Sequence, residues 1–181
     1  MEHFSKFFIL GTPGSGKTTL AQKLSTELKI PHFNLDDYLY EKDKNPLEVL
    51  SYEKRIANAT EIASNQGWVA EGNFLHWTGP LVEGADVVVW IRPPILLATW
   101  RIIKRDIVTR LKGTNKHKFW NTVKVAKGSY IQHGMHYDKL SPVDGEISPQ
   151  IIAKTLEPFK DKVIEIRNKA DLKQFLHQIK G

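Results

Sequence analysis

The stretch GTPGSGKT, from Gly11 to Thr18, matches the pattern G-x-x-x-x-G-K-[ST] at every fixed position. In such a loop the glycines allow a tight turn, so that consecutive backbone N–H groups point into one concavity and bind phosphate groups. An apolar run at 7–10 precedes the loop and predicts a buried strand, and apolar residues at helical spacing follow it between Leu20 and Leu28. Because strand, loop and helix occur in this order, the pattern favours a nucleoside-triphosphate site over a chance glycine-rich turn.

The chemistry of this phosphate loop predicts a role for several of its residues. The dipole of the following helix favours anions at its N-terminus. Lys17 can reach the β- and γ-phosphates, the hydroxyl of Thr18 can ligate Mg²⁺, and Thr19 is expected near the α-phosphate. The residues predicted to bind ATP are Gly11, Pro13, Gly14, Ser15, Gly16, Lys17, Thr18 and Thr19, with Thr18 as the metal ligand.

The composition of the chain narrows its class without naming a reaction. With 181 residues, 41% of them apolar, the chain can bury a large core and is expected to form one domain over residues 1–181. The sequence holds no cysteine, which excludes disulfides and thiolate metal sites and is consistent with a cytoplasmic protein. No apolar run approaches the ~18 residues of a membrane span, and the first residues lack the layout of a signal peptide, so neither a membrane partner nor export is expected.

Positive charge is concentrated between residues 101 and 127. This basic segment holds nine lysines and arginines against one acid, Asp106, a net charge of +8, and since the whole chain carries +6, the remainder carries −2. Three interpretations stay open: a lid within about residues 105–140 that closes over the triphosphate, a solvated helix face, and a surface that binds nucleic acid. The basic residues are Arg101, Lys104, Arg105, Arg110, Lys112, Lys116, Lys118, Lys124 and Lys127.

Strand-like and helix-like patterns alternate along the chain, which predicts an α/β fold with a five-stranded parallel sheet. The predicted strands are at about 5–10, 32–35, 67–71, 86–91 and 163–166. The predicted helices are at 17–28, about 50–65 and about 94–112, with a short helix opening at Ser148-Pro149 and a terminal helix carrying Leu172, Phe175, Leu176 and Ile179. No element is assigned to 113–147.

Ligands of parallel α/β sheets lie beyond the carboxyl ends of the strands, so polar residues that follow the predicted strands are candidates for the site. Asp36 is the main candidate for binding a phosphoryl acceptor or removing a proton from its hydroxyl, and its neighbour Asp37 is the alternative. A second alternative for both is a cap on the turn that leaves the strand. Glu71 ends the third strand and is expected to hold a Mg²⁺-bound water or the acceptor, with a plain strand-end charge as the alternative.

Two arginines lie on the predicted helix at 94–112. Arg101 and Arg105 are four residues apart on one face, where both guanidinium groups can meet one phosphate cluster and stabilise the charge that develops in phosphoryl transfer. An exposed basic face is the alternative, and Arg110 either adds to the pair or tethers the lid. The catalytic candidates are Lys17, Asp36, Glu71, Arg101 and Arg105.

The polar and aromatic residues after the third strand are candidates for lining the acceptor pocket, but no role is assigned to them, because aromatic residues there are as often core as base-stacking surface. They are Asn73, Phe74, His76 and Trp77.

Besides the phosphate loop, three stretches of sequence give the chain a resemblance to a known family. The run from Trp68 to Phe74 is similar to the third-strand pattern of the adenylate-kinase-related group called DNA-topology-modulation proteins, and Leu35-Asp36 after Pro31-His32-Phe33 is similar to that group's second-strand ending. Pro94, with the two arginines that follow it, has the spacing of the helix that enters the lid in adenylate kinases. Over most of residues 5–112 the chain therefore resembles the nucleoside-monophosphate-kinase branch of P-loop proteins.

The resemblance implies a three-layer α/β/α P-loop NTPase fold of the nucleotide-kinase type, with ATP and Mg²⁺ as ligands and adenine beside residues 163–168. It also implies phosphoryl transfer to a nucleotide or another small-molecule acceptor. Adenylate kinases follow their third-strand Asp-Gly with an aromatic residue, a proline and a substrate-binding arginine, whereas Gly72 here is followed by Asn73 and Phe74. This difference favours an acceptor other than a standard nucleoside monophosphate. An ATP-binding regulatory or nucleic-acid-binding switch is the alternative function, and an NTPase with water as acceptor is a third.

Overall fold

The structure, a computed structural model, describes residues 4–41, 48–112 and 149–180. Its strands are β1 (Lys6–Gly11), β2 (His32–Asn34), β3 (Trp68–Gly72), β4 (Val87–Ile91) and β5 (Val163–Ile166). Its α-helices are α1 (Lys17–Leu28), α2 (Tyr52–Ser64), α3 (Gly79–Gly84), α4 (Ile95–Leu111), α5 (Pro149–Leu156) and α6 (Lys169–Lys180). Two 3-10 helices span Leu35–Tyr38 and Glu157–Lys162.

The five strands form one parallel sheet in the order β2-β3-β1-β4-β5. β1 lies at the centre, and its residues Phe7 to Leu10 are completely buried. Central strands of parallel sheets carry nearly continuous apolar runs because helices cover both faces. The predicted five-stranded parallel sheet is confirmed, and each strand lies within one residue of its expected bounds.

Two apolar cores lie on opposite faces of the sheet, because side chains alternate along each strand. Phe8 and Leu10 point into the first core, which α2, α3 and α5 cover and in which Trp77 is fully buried. Phe7 and Ile9 point into the second core, which α1 and α6 cover. Helices thus cover both sides of the sheet, and the three-layer α/β/α architecture is confirmed.

The chain turns sharply where β2 ends. The side-chain oxygen of Asn34 accepts a hydrogen bond of 3.2 Å from the N–H of Asp36, and this bond caps the 3-10 helix Leu35–Tyr38. The strand therefore ends one residue earlier than predicted. The sequence analysis offered Asp36 or Asp37 as the cap of this turn, and in the structure the cap is Asn34. The turn puts Asp36 at the carboxyl end of the sheet.

The sequence did not predict α3 or the 3-10 helix Glu157–Lys162. With only six residues, α3 is too short to show a helical period, although its Leu81 and Val82 are buried.

Residues 113–148, which include much of the expected lid, fall outside the described ranges. Within those ranges, no helix is both long and apolar enough to cross a membrane.

Candidate active site

Two glycines of the phosphate loop have backbone angles that other residues rarely adopt. The loop connects β1 to α1 through residues 12–16, and φ is +77° at Gly14 and +104° at Gly16. A Cβ atom on Gly14 would lie 2.4 Å from the carbonyl oxygen of Ala98, because the backbone of α4 packs against the loop there. Glycine is therefore required at Gly14 both by the turn and by the contact with α4.

The ammonium group of Lys17 lies among charges of both signs. Its Nζ donates a hydrogen bond of 3.4 Å to the carbonyl oxygen of Thr12. Burial lowers the pKa of Lys17, while the carboxylates of Glu71 and Asp36 act in the opposite direction and the guanidinium of Arg105 lowers it further. The net effect is a lysine whose positive charge an incoming phosphate would stabilise.

Thr18 and Glu71 are joined across the end of the sheet. The Thr18 hydroxyl donates a hydrogen bond of 2.7 Å to Oε1 of Glu71, and Glu71 is 3% exposed. Proteins usually hold Mg²⁺ at phosphate sites through one or two oxygens, with phosphate oxygens and water as the other ligands. A hydroxyl and a carboxylate beside the phosphate loop fit that coordination. No group of three His, Cys, Asp or Glu side chains in the described part of the chain offers a protein-only metal site.

One cavity of about 510 Å³, the phosphate cavity, brings most of the predicted residues together. Its walls are Pro13, Gly14, Gly16, Lys17, Thr18, Thr19, Asp36, Glu71, Asn73, Arg101, Ile102 and Arg105. Gly11 and Ser15 are not in this wall: Gly11 is buried at the end of β1, and Ser15 lines a neighbouring cavity. Asp37 is exposed and is not among the described lining residues, so Asp36 is the member of that pair that reaches the cavity.

A second cavity of about 490 Å³, the base cavity, adjoins the first. The two cavities share Gly16, Thr19 and Arg101 in their walls. An apolar cavity next to a phosphate loop suits the planar base of a nucleotide. Residues 166–168, beside which the resemblance places adenine, line the base cavity. Its apolar walls are Leu20, Ile91, Pro93, Leu97, Ile166, Leu172 and Leu176.

Arg101 is bonded to the phosphate loop itself. Its Nη1 donates a hydrogen bond of 2.8 Å to the carbonyl oxygen of Ser15 and a longer one of 3.5 Å to that of Gly14. The sequence predicted Arg101 only as a phosphate ligand, and the bond to the loop depends on how α4 packs, which no local pattern reveals. Arg105, one turn later, is exposed and lines the phosphate cavity.

Arg110 is paired with a buried acid instead of facing the cavities. Its Nε and Nη2 donate hydrogen bonds of 2.6 and 3.2 Å to the two carboxylate oxygens of Asp106, which is 6% exposed. Arg110 is thus anchored along α4. Of the nine lysines and arginines in the basic segment, four lie outside the residues that the structure describes: Lys116, Lys118, Lys124 and Lys127.

The residues after β3 divide between the core and the cavity. Phe74 and Trp77 pack in the first core with ring centroids 5.3 Å apart, and His76 is exposed. Asn73 lines the phosphate cavity, although the sequence assigned it no role. The signal that could have found Asn73 is its position directly after Glu71-Gly72 at a strand end.

Comparison with known proteins gives a family match over part of the chain and two partial relatives. Residues 10–73 match the model of a family described as an AAA domain. A putative adenylate kinase of Thermococcus kodakarensis is 31% identical over 112 residues, which are 59% of this chain and 60% of that protein. A shikimate kinase of Bacteroides fragilis is 36% identical over 84 residues, which are 46% of this chain and 41% of that protein. The chain thus spans less than two thirds of the length of either relative.

Two solved structures are similar over nearly the whole chain. The shikimate kinase from Acinetobacter baumannii in complex with shikimate has a TM-score of 0.50 at 15% identity, over 98% of this chain and 93% of that one. The shikimate kinase from Bacteroides thetaiotaomicron has a TM-score of 0.51 at 15% identity, over 98% and 99%. Such identities show the fold alone, and the chain shares the three-layer α/β/α fold of these two structures. The narrower resemblance to DNA-topology-modulation proteins stays a prediction.

Proposed function

We propose that this protein is an ATP- and Mg²⁺-dependent phosphotransferase acting on a nucleotide or another small-molecule acceptor. The observation that carries the proposal is the composition of the phosphate cavity, where the loop and Lys17 meet two strand-end carboxylates, Asp36 and Glu71. Binding of a triphosphate needs the loop and one metal-binding pair, Thr18 and Glu71, and so leaves Asp36 for an acceptor. The partial relatives, both kinases by name, support the same class of reaction.

The donor nucleotide would occupy both cavities, with its phosphates in the phosphate cavity and its base in the base cavity. Loop amides and Lys17 would neutralise the phosphates. Thr18 and Glu71 would hold Mg²⁺, which supplies further positive charge to the transferring group when bound. Arg101, which lines both cavities while bonded to the loop, would fix the loop against the nucleotide.

Asp36 would bind the acceptor and take the proton of its hydroxyl as the oxygen attacks the terminal phosphorus. A bond from the acceptor oxygen to phosphorus forms, and the bond from phosphorus to the leaving nucleoside diphosphate breaks. Arg105 would stabilise the charge on the transferring phosphoryl group. The protein thus contributes positioning and charge neutralisation, with no covalent intermediate on the chain.

The proposal is tested by measuring ADP formation from Mg·ATP with nucleoside monophosphates, nucleosides and hydroxylated metabolites as acceptors. We expect at least one acceptor to stimulate turnover. Lys17→Ala should abolish this stimulated turnover, and Asp36→Asn should lower kcat by about 10²- to 10⁴-fold, the usual contribution of a general base. Lys112→Ala, an exposed position outside both cavity walls, is the matched control and should behave like the wild type.

Two other outcomes would contradict the proposal. Phosphate release that no acceptor increases would identify an NTPase with water as acceptor. Tight ATP binding without stimulated turnover, together with nucleic-acid binding that weakens steeply with salt, would favour the switch.

A further inference from the structure

Asn73 and Asp36 follow adjacent strands at the carboxyl end of the sheet. β2 and β3 pair in parallel with Asn34 opposite Glu71. Asp36 comes two residues after Asn34, and Asn73 comes two residues after Glu71. Both Asp36 and Asn73 line the phosphate cavity. A carboxylate and a carboxamide from adjacent strand ends thus face one space, on the side where Asp36 would bind the acceptor.

The side chain of Asn73 has unused hydrogen-bonding capacity. Its amide oxygen is buried, and no hydrogen-bond partner is found for it in the described structure. Buried polar atoms without partners are rare in native proteins and cost free energy until a partner arrives. The terminal bond of asparagine rotates between two broad positions, so the side chain can present either its oxygen or its NH₂ group to a ligand.

Charges of both signs line the phosphate cavity. The described cations in its wall are Lys17, Arg101 and Arg105, and Lys17 and Arg101 are bonded to loop carbonyls. The carboxylates of Asp36 and Glu71 and the uncharged side chain of Asn73 line the same cavity. A phosphate monoester bound at Asp36 would place its dianion next to that carboxylate, which is unfavourable at close range. Hydroxyl groups can instead donate to a carboxylate and exchange hydrogen bonds with an amide.

From this pairing we infer that Asp36 and Asn73 together bind neighbouring hydroxyl groups of an acceptor that carries no phosphate, and that Asn73 determines this specificity. The inference rests on the proposed phosphotransferase function and names its acceptor class: a neutral compound with at least two adjacent hydroxyls. Asp36 accepts the proton of the reacting hydroxyl, and Asn73 holds the neighbouring hydroxyl, so that the reacting oxygen is oriented toward the donor.

The test measures acceptor binding separately from turnover. Wild-type protein saturated with Mg²⁺ and a non-hydrolysable ATP analogue is titrated calorimetrically with glycerol, myo-inositol, D-ribose, adenosine and cytidine, and with AMP and CMP. Adenosine and AMP are a matched pair, since they differ only in the phosphate group. We expect a phosphate-free compound to bind best, and we expect Asn73→Ala to weaken that binding about tenfold or more without changing the affinity for the ATP analogue.

Asn73→Asp keeps the size of the side chain and removes its NH₂ donors, so it should also weaken acceptor binding. Asn58→Ala, on α2 and outside the described wall of the cavity, is the matched control and should bind like the wild type. Stronger binding of AMP and CMP, no binding of any phosphate-free probe, or unchanged binding by Asn73→Ala would each overturn the inference. Acceptor binding as expected with no phosphoryl transfer would instead support the inference and contradict the proposed function.

Discussion

Lys17 shows how the protonation of a single residue is coupled to ligand binding in the phosphate cavity. Its ammonium group is bonded to the Thr12 carbonyl and is influenced by the charges of Glu71, Asp36 and Arg105. Because burial lowers its pKa below the ordinary value of 10.5, Lys17 of the free protein loses its proton at a lower pH than an exposed lysine. Only the protonated form neutralises a phosphate, so binding of a triphosphate favours uptake of that proton.

This linkage predicts the pH dependence of nucleotide binding. As pH rises toward 10.5, Lys17 of the free protein becomes neutral first, so the affinity for Mg·ATP should fall at a pH below the ordinary lysine pKa. The arginine of the Lys17→Arg variant keeps its positive charge over this pH range. The affinity of this variant for Mg·ATP, even if it is weaker than that of the wild type, should therefore change little with pH. The measurement is the Kd for Mg·ATP from about pH 7 to about pH 10. A wild-type affinity that stays constant over that range would contradict this account of Lys17.

The residues that could be predicted are those whose position along the chain fixes their position in space. Lys17 and Thr18 follow from the loop pattern, and Glu71 follows from the end of an apolar strand. Choosing Asp36 over Asp37 required the 3-10 turn that Asn34 caps, and a strand pattern does not show where such a turn begins. The bond from Arg101 to the loop joins residues 86 positions apart in sequence, so only the packed structure reveals it.

At the scale of elements, the residues that cap the start of α6 also form part of the wall of the base cavity. The side-chain oxygen of Asn168 accepts hydrogen bonds of 2.7 and 3.1 Å from the N–H groups of Ala170 and Asp171. Asp171 in turn accepts from the N–H groups of Arg167, at 2.8 Å, and Asn168, at 3.2 Å. This reciprocal cap satisfies donors that a helix N-terminus otherwise leaves open. Arg167 and Asn168 also line the base cavity.

Loss of this cap should destabilise the fold and loosen one wall of the base cavity. Asn168→Ala is expected to lower the free energy of unfolding by about 0.5 to 2 kcal/mol and to weaken ATP binding by a smaller factor. Lys173→Ala, exposed on the same helix, is the control and should change stability by less than about 0.5 kcal/mol. Urea denaturation and ATP titration measure the two effects, and equal stability of the two variants would refute the assigned cap.

Backbone hydrogen bonds also lower the pKa of Asp171, chiefly the bond from the N–H of Arg167. Because the folded pKa is the lower one, the contribution of Asp171 to stability is present above its ordinary value of 3.8 and is lost as pH falls through the folded pKa. The cap should therefore weaken only in acid, and the effect of Asn168→Ala should be fully present at neutral pH.

Elements were predictable where burial imposes a long, regular pattern. The apolar strands β1 and β4 and the amphipathic helices α1 and α2 were all found close to their expected bounds. α3 was missed because a helix of six residues is held by tertiary contacts and shows no period of its own. The aromatic residues Phe74 and Trp77 next to it were left without a role, since a buried ring and a binding surface have the same sequence signature.

At the scale of the whole molecule, the order of the strands assembles the candidate site. β3 lies beside β1 with Glu71 opposite Ile9 and Gly72 opposite Leu10, so the end of β3 adjoins the beginning of the phosphate loop. β2 lies on the other side of β3 and brings Asp36 to the same edge. β4 and β5 end beside the base cavity. The residues proposed to bind the donor and the acceptor thus meet along one edge of the sheet. The single domain and the cytoplasmic location stay predictions.

The most direct test of this account follows the phosphoryl group itself. ATP labelled with ³²P at the γ-phosphate is incubated with Mg²⁺, the acceptor that stimulates turnover best, and wild-type, Lys17→Ala or Asp36→Asn protein. The account predicts that wild-type protein moves the label into the acceptor, that Lys17→Ala moves none, and that Asp36→Asn still binds ATP but transfers the label far more slowly. Label recovered only as inorganic phosphate, or transferred equally fast by Asp36→Asn, would contradict the claim that this edge of the sheet is a phosphotransferase site.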